Sequence, residues 1–120
     1  MSPREVRAVL GAPPRIKPGV HRIGYFDFTY VYPHRLVVKF LLGGDRDYVY
    51  SISTTSRRYR TRKGVGVGSS ERRVRTYARY CRVDRGVRSC MNTNEGGVGG
   101  TYFVIRRGRA VSVTVFAPAF

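Results

Sequence analysis

The alternation of hydrophobic and polar positions opens with a helical signature. Ser2 can cap, Pro3 occupies the first helical position, and Glu5 completes a Ser-x-x-Glu capping box. Val6, Val9 and Leu10 then fall at i, i+3 and i+4, giving one apolar face. Gly11 stops the helix and Pro13-Pro14 keeps it from resuming. After that the period shortens to two. Residues 28–32 read as a strand ended by Pro33, and residues 36–42 as a second that turns at Gly43-Gly44-Asp45. Residues 48–54 read as a third.

The same order then recurs. Ser70-Glu71-Arg72-Arg73-Val74-Arg75 mirrors Ser2-Pro3-Arg4-Glu5-Val6-Arg7, and Val74, Tyr77 and Ala78 stand where Val6, Val9 and Leu10 stand. Strands are predicted at 87–93, 102–106 and 110–117, with a turn over 96–100. In the last of them Val111, Val113 and Val115 share one side. A period of roughly 60 to 70 residues, twice, reads as an internal duplication. The predicted fold class is α+β: two tandem helix-then-antiparallel-sheet repeats, with the short helices packed on one face of the sheet. The first repeat spans residues 1–56 and the second 69–120. A basic, glycine-rich connector at 57–68 joins them within one domain of 120 residues.

The first repeat carries a more specific pattern. Ser2 with Val6, then Leu10-Gly11-Ala12-Pro13, a strand ending at Tyr32 and Leu36-Val37-Val38-Lys39-Phe40 resembles the SmpA/OmlA-type unit. Two such units in tandem resemble the β-lactamase inhibitory protein superfamily (BLIP-like). The second copy keeps Gly68-Ser69-Ser70 and Val74 but lacks the Leu-Gly-x-Pro segment. The resemblance implies short helices on one face of an antiparallel sheet, with the other face open to a partner. It also implies an extracytoplasmic protein. The family pattern places a Gly before the helix-starting Ser, as Gly68 does in the second copy, so a leader upstream of Met1 is expected.

Charge narrows the partners. Lys and Arg number 23 against seven Asp and Glu, a formal net charge of +16. Such a field attracts nucleic acid, anionic head groups, acidic wall polymers or an acidic protein. Lys17, Lys39 and Lys63 are the lysines and the remaining bases are arginine, a bias that a GC-rich coding sequence also produces. That bias accounts for Arg in place of Lys but not for the shortage of acids. No apolar run approaches the roughly 18 to 20 residues of a membrane span. Cys81 and Cys90 flank the turn-like Asp84-Arg85-Gly86, so a bridge clasping a hairpin is expected, and with it an oxidising compartment. Two unpaired thiols in a cytosolic protein are the alternative.

Catalysis finds few groups to use. His21 and His34 are the histidines; Asp27, Asp45, Asp47, Asp84, Glu5, Glu71 and Glu95 are the carboxylates. No nucleophile elbow, no H-E-x-x-H and no metal-spaced cluster is present, so no catalytic residue, metal or cofactor is assigned. Gly64-Val65-Gly66-Val67-Gly68-Ser69-Ser70 matches neither dinucleotide nor P-loop spacing. Entry into the second helix, with Ser69 or Ser70 as cap, is its plainer role.

Two residue sets remain as binding candidates. Arg57, Arg58, Arg60, Arg62 and Lys63 surround Tyr59, and Arg72, Arg75 and Arg79 would share one helical face. Arginine beside aromatic rings suits anion contacts, and solvated faces are the alternative. Phe28, Tyr30 and Tyr32 point to one side of their strand, with Tyr48 and Tyr50 on another. They either face a partner or pack beneath the helices. Together these features predict a non-enzymatic, secreted or extracytoplasmic module that binds a macromolecule, a protein or an acidic polymer, through an open sheet face and a basic surface. The rival is a cytoplasmic nucleic-acid-binding protein using arginine clusters and tyrosine stacking.

Overall fold

The computed structural model describes residues 2–18, 27–43, 46–93 and 99–116. In chain order the elements are α1 (Pro3–Leu10), β1 (Arg15–Pro18), β2 (Asp27–Tyr32), β3 (Leu36–Gly43), β4 (Arg46–Thr54), α2 (Glu71–Arg75), β5 (Tyr80–Asp84), β6 (Val87–Thr93), β7 (Gly100–Arg106) and β8 (Arg109–Phe116). All eight strands join one sheet in the order β1-β2-β3-β4-β8-β7-β6-β5. Every pairing is antiparallel, and Ser51–Thr54 of β4 against Val113–Phe116 of β8 closes the middle of the sheet.

The expectation of an α+β fold built from two helix-then-sheet repeats is therefore corrected. Among the described residues the chain is mostly β, one continuous sheet with helices of 8 and 5 residues. Two segments account for the difference. Residues 80–84, whose neighbouring arginines read as the tail of a helix, alternate Tyr80 and Arg82 against Cys81 and Val83 and form strand β5. The segment Arg15–Pro18 supplies edge strand β1, which a proline and two bases concealed. Helix α2 stops at Arg75, because the Thr76 backbone N–H already bonds back to Arg73 and Val74 and a turn follows.

Helix α1 forms as its caps require. The Glu5 backbone N–H donates to Ser2 Oγ at 3.2 Å, and the Ser2 N–H donates back to the Glu5 carboxylate at 3.3 Å. The cap residue Gly11 has φ 83. Val6 is buried, but Val9 is 74% exposed and Leu10 40%, so the helix commits only one side chain of its apolar face to the core.

The core lies on one side of the sheet in two clusters. Beneath α1, Val6 meets Tyr30, Tyr32, Leu36, Val38 and Phe40. Phe28 stacks on Phe40 at 4.8 Å between ring centroids, and Tyr30 meets Phe40 edge-on at 4.7 Å. A bulge between β3 and β4 shifts the register, with Lys39 opposite Ser51 and Phe40 opposite Val49, and lets both Val49 and Ile52 pack against this cluster. Around α2, Val74 and Ala78 meet Val65, Val67, Cys90, Phe103, Ile105, Ala110 and Val113. At the far end of β7, Gly100 approaches β6 so closely that an added Cβ would stand 2.1 Å from the Asn92 carbonyl oxygen.

Cys81 and Cys90 are cross-strand partners on β5 and β6 and form a disulfide, with Cα atoms 4.0 Å apart. Closing so short a loop stabilises by about 2.6 kcal/mol in the chain-entropy account. Among the described residues no helix is long and apolar enough to cross a membrane.

Candidate functional site

Both helices and the segment between β4 and α2 pack on the same side of the sheet. On that side Arg7 Nε donates to Tyr30 Oη at 3.1 Å, and its guanidinium lies 5.2 Å from the Tyr30 ring centre. Tyr32 Oη donates to the Gly11 carbonyl at 3.0 Å. These partners explain how two tyrosines can be buried, since each hydroxyl reaches α1 or its cap. Burial pushes the Tyr32 hydroxyl above its usual pKa. The aromatic row of Phe28, Tyr30 and Tyr32 is thus core, and the expectation that it faces a partner is corrected for Tyr30 and Tyr32, which are 4% and 6% exposed. Tyr48 of β4 pairs with Leu41 of β3, its side chain lying outside the described set, and Tyr50 is half-buried.

The opposite face carries different residues. Register places Thr29 and Val31 of β2, Val37 and Lys39 of β3, and Ser51 and Ser53 of β4 on it. Across the centre it continues with Thr114 and Phe116 of β8, Tyr102 and Val104 of β7, Ser89 and Met91 of β6, and Tyr80 and Arg82 of β5. Among the described residues neither helix nor the connector packs on this face. Ser51, Ser53 and Thr114 place short side chains along its middle, beside Phe116. Around β5, β6 and β7 a shallow depression of about 490 Å³ is lined by Tyr80, Arg82, Ser89, Met91, Thr93 and Tyr102. Tyr80 is 69% exposed, while Met91 and Tyr102 are half-buried.

The arginines separate into distinct roles. Arg60 is a structural brace: its guanidinium donates to the carbonyl oxygens of Gly64 and Val67 and to Ser69 Oγ. Arg58 contacts His34 Nε2 at 3.0 Å. Arg62 and Lys63 are exposed, and the Lys63 carbonyl accepts from Arg73 at 2.8 Å. Arg75 pairs with Glu71 at 3.7 Å, and Arg88 closes on the same carboxylate. Arg72 and Arg79 are exposed, but Arg79 lies beyond α2, so the shared helical face expected for Arg72, Arg75 and Arg79 is corrected. Arg57 joins a cleft at the end of the sheet with arginines that the sequence reading did not single out.

The glycine-rich segment spends five of its seven N–H groups on internal acceptors, which weighs against a phosphate cradle. Gly64 N donates to the Thr61 carbonyl, Val65 N to Thr61 Oγ1 and Gly66 N to Ser69 Oγ. Gly68 N donates to the Ala110 carbonyl, and Ser69 N to that of Gly66. Ser70 caps α2, accepting from the Arg73 N–H at 3.2 Å. Glu5 and Glu71 are engaged in the α1 cap and in ion pairs, and His21, Asp45 and Glu95 lie outside the described residues. Among the described residues no three His, Cys, Asp or Glu side chains gather as a metal site would require.

No family model matches the chain, and no curated protein does. Among solved structures it is similar to an extracellular protein containing a SCP domain from Bacillus anthracis str. Ames. The match covers 97% of this chain and 43% of that one, with a TM-score of 0.63 at 13% identity. The chain therefore spans less than half of that protein, and the likeness is one of fold.

Proposed function

We propose that this protein is a non-enzymatic, extracytoplasmic binding module that engages an acidic partner protein through the bare sheet face. The observation that carries the reading is that face itself: free of helices among the described residues, and anchored by Tyr80, Met91 and Tyr102 beside Arg82. Tyrosine, methionine and arginine are the side chains that interfaces favour, since they give much contact area for little lost freedom. Eight strands about 4.8 Å apart make a face roughly 34 Å across, enough for the ~800 Å² per partner of a standard interface. The net charge of +16 would steer an acidic surface toward it and speed association. The Cys81–Cys90 disulfide supports an oxidising compartment, and the likeness to part of an extracellular protein agrees with it. The resemblance to the SmpA/OmlA-type and β-lactamase inhibitory protein superfamily points the same way. The engagement of Glu5 and Glu71 in structural contacts supports a role without catalysis.

A salt series with duplex DNA and single-stranded RNA tests this against the nucleic-acid reading. The proposal expects weak binding that fades toward physiological salt. Saturable binding that survives physiological salt with a steep log–log slope would make this a nucleic-acid protein instead.

A further inference from the structure

Five arginines that the sheet-face reading leaves unused meet at one end of the sheet. Arg35 comes from the turn between β2 and β3, Arg57 from the segment after β4, and Arg106, Arg107 and Arg109 from the β7–β8 hairpin. With Thr55, Gly68 and Ala110 they line a cleft of about 510 Å³. Among the described residues the salt bridges are those of Glu71 with Arg75 and Arg88, none of which involves these five. Arg106 and Arg109 are cross-strand partners, where like charges repel.

The backbone holds this arrangement at a cost. Arg35 and Arg107 have φ 55 and 52, a region where Asn or Gly would sit more easily. Gly68, at φ 91, lets the Arg57 guanidinium lie against the backbone: an added Cβ would stand 3.2 Å from Arg57 Nε and 3.3 Å from Cζ. Arg109 Nη1 donates to the Gly68 carbonyl at 2.9 Å, fixing a second guanidinium beside the first. An anion that binds such a cluster relieves the repulsion and stabilises the fold by mass action.

We propose that this cleft binds the phosphate groups of a polyanion. A carboxylate offers two oxygens whose lone pairs lie in one plane, so it accepts forks that approach near that plane. A phosphate directs its oxygens tetrahedrally, so it can accept forks arriving from several directions, as they do here from three separate segments. The site goes beyond the sheet-face reading and stands or falls apart from it.

The test is calorimetric titration with medium-chain inorganic polyphosphate, with poly-glutamate of matched charge and with duplex DNA, each near physiological salt. The cleft variant is Arg35→Asn with Arg107→Asn, since Asn tolerates positive φ and the hairpins keep their shape. Arg72→Gln with Arg79→Gln is the charge-matched control. Polyphosphate is expected to saturate a defined site, with poly-glutamate weaker by roughly tenfold or more, and the cleft variant should lose roughly tenfold or more while the control keeps its affinity within about threefold. The slope of log affinity against log salt should also become shallower by about two in the cleft variant. Cleft-sensitive binding of duplex DNA in place of polyphosphate would support the phosphate site and assign its source to nucleic acid. Equal losses in both variants, poly-glutamate binding as well as polyphosphate, or no binding of either phosphate polymer would overturn the proposal. Met91→Glu on the sheet face should leave this titration unchanged, so the two sites fail separately.

Discussion

Reducing the Cys81–Cys90 bridge isolates one contribution to stability. The two cysteines lie 9 positions apart, so oxidation closes a loop of about ten residues and removes about 2.6 kcal/mol of chain entropy from the unfolded state. Reduction leaves both sulfurs in place, so no cavity opens beside the fully buried Cys90. For a chain of 120 residues the unfolding entropy near the midpoint is about 0.25 kcal/mol/K, so the melting temperature should fall by about 10 °C. The loss should begin locally. Among the described residues strand β5 has β6 as its single strand neighbour, and four of its five side chains are exposed, so the bridge and the β6 ladder are its main attachments. The assay is differential scanning calorimetry with and without reductant, joined to amide exchange across residues 80–84. A midpoint shift below about 2 °C with unchanged β5 protection would refute the reasoning, showing that the bridge constrains neither the chain nor the edge.

Other perturbations probe the core, a close approach and a cap. Phe40→Ala removes a fully buried ring stacked between Phe28 and Tyr30 and should cost about 3–5 kcal/mol in urea unfolding. Gly100→Ala would drive a methyl into the Asn92 carbonyl and should cost at least about 2 kcal/mol, separating β6 from β7, as amide exchange at Thr101 would report. Hydrogen bonds from the Ser2 backbone and then its side chain hold the Glu5 carboxyl below its usual pKa of 4.5. A depressed carboxylate stabilises above its unfolded value, so α1 should keep its cap near neutrality and lose it as pH falls through the lowered value. Amide exchange at Val6 should follow that acid transition, and Glu5→Gln should remove it.

Much of the sheet was readable because its strands carry period two against a single buried side. Residues 87–93 alternate Arg88, Cys90 and Asn92 against Ser89 and Met91, and β6 occupies that span. Strand β1 was not readable, because Arg15, Lys17 and Pro18 belong to an edge that is charged and short, the pattern by which edges avoid pairing with other chains. Arginines at spacings that also suit a helix blurred the start of strand β5, while the cysteines flanking Asp84-Arg85-Gly86 signalled the hairpin that Cys81 and Cys90 clasp in register. The side taken by Phe28, Tyr30 and Tyr32 was undecidable from alternation alone, since period two shows that residues share a face but not which face is covered. An open sheet face was expected, but the residues on it were not identified, because its Ser and Thr residues look like strand filler. The arginine cleft is assembled from distant segments, yet one local signal was present. Arg107-Gly108 closes a two-residue hairpin with φ 52 and 75, and an Arg-Gly pair between two alternating runs marks such a turn and places its charge at a sheet end.

The claim that a partner docks on the bare sheet face is tested most directly by site-resolved photo-crosslinking. A photoreactive side chain would replace Tyr102 on that face, and in a second protein Leu10 on the helix side. Acidic proteins captured from an extracytoplasmic fraction would then be purified and titrated against the unmodified chain. The account predicts a crosslink from position 102 and none from position 10, with binding of the purified partner abolished by Met91→Glu and its association slowed by salt. Equal crosslinking from both positions, or partner binding indifferent to Met91→Glu, would contradict it.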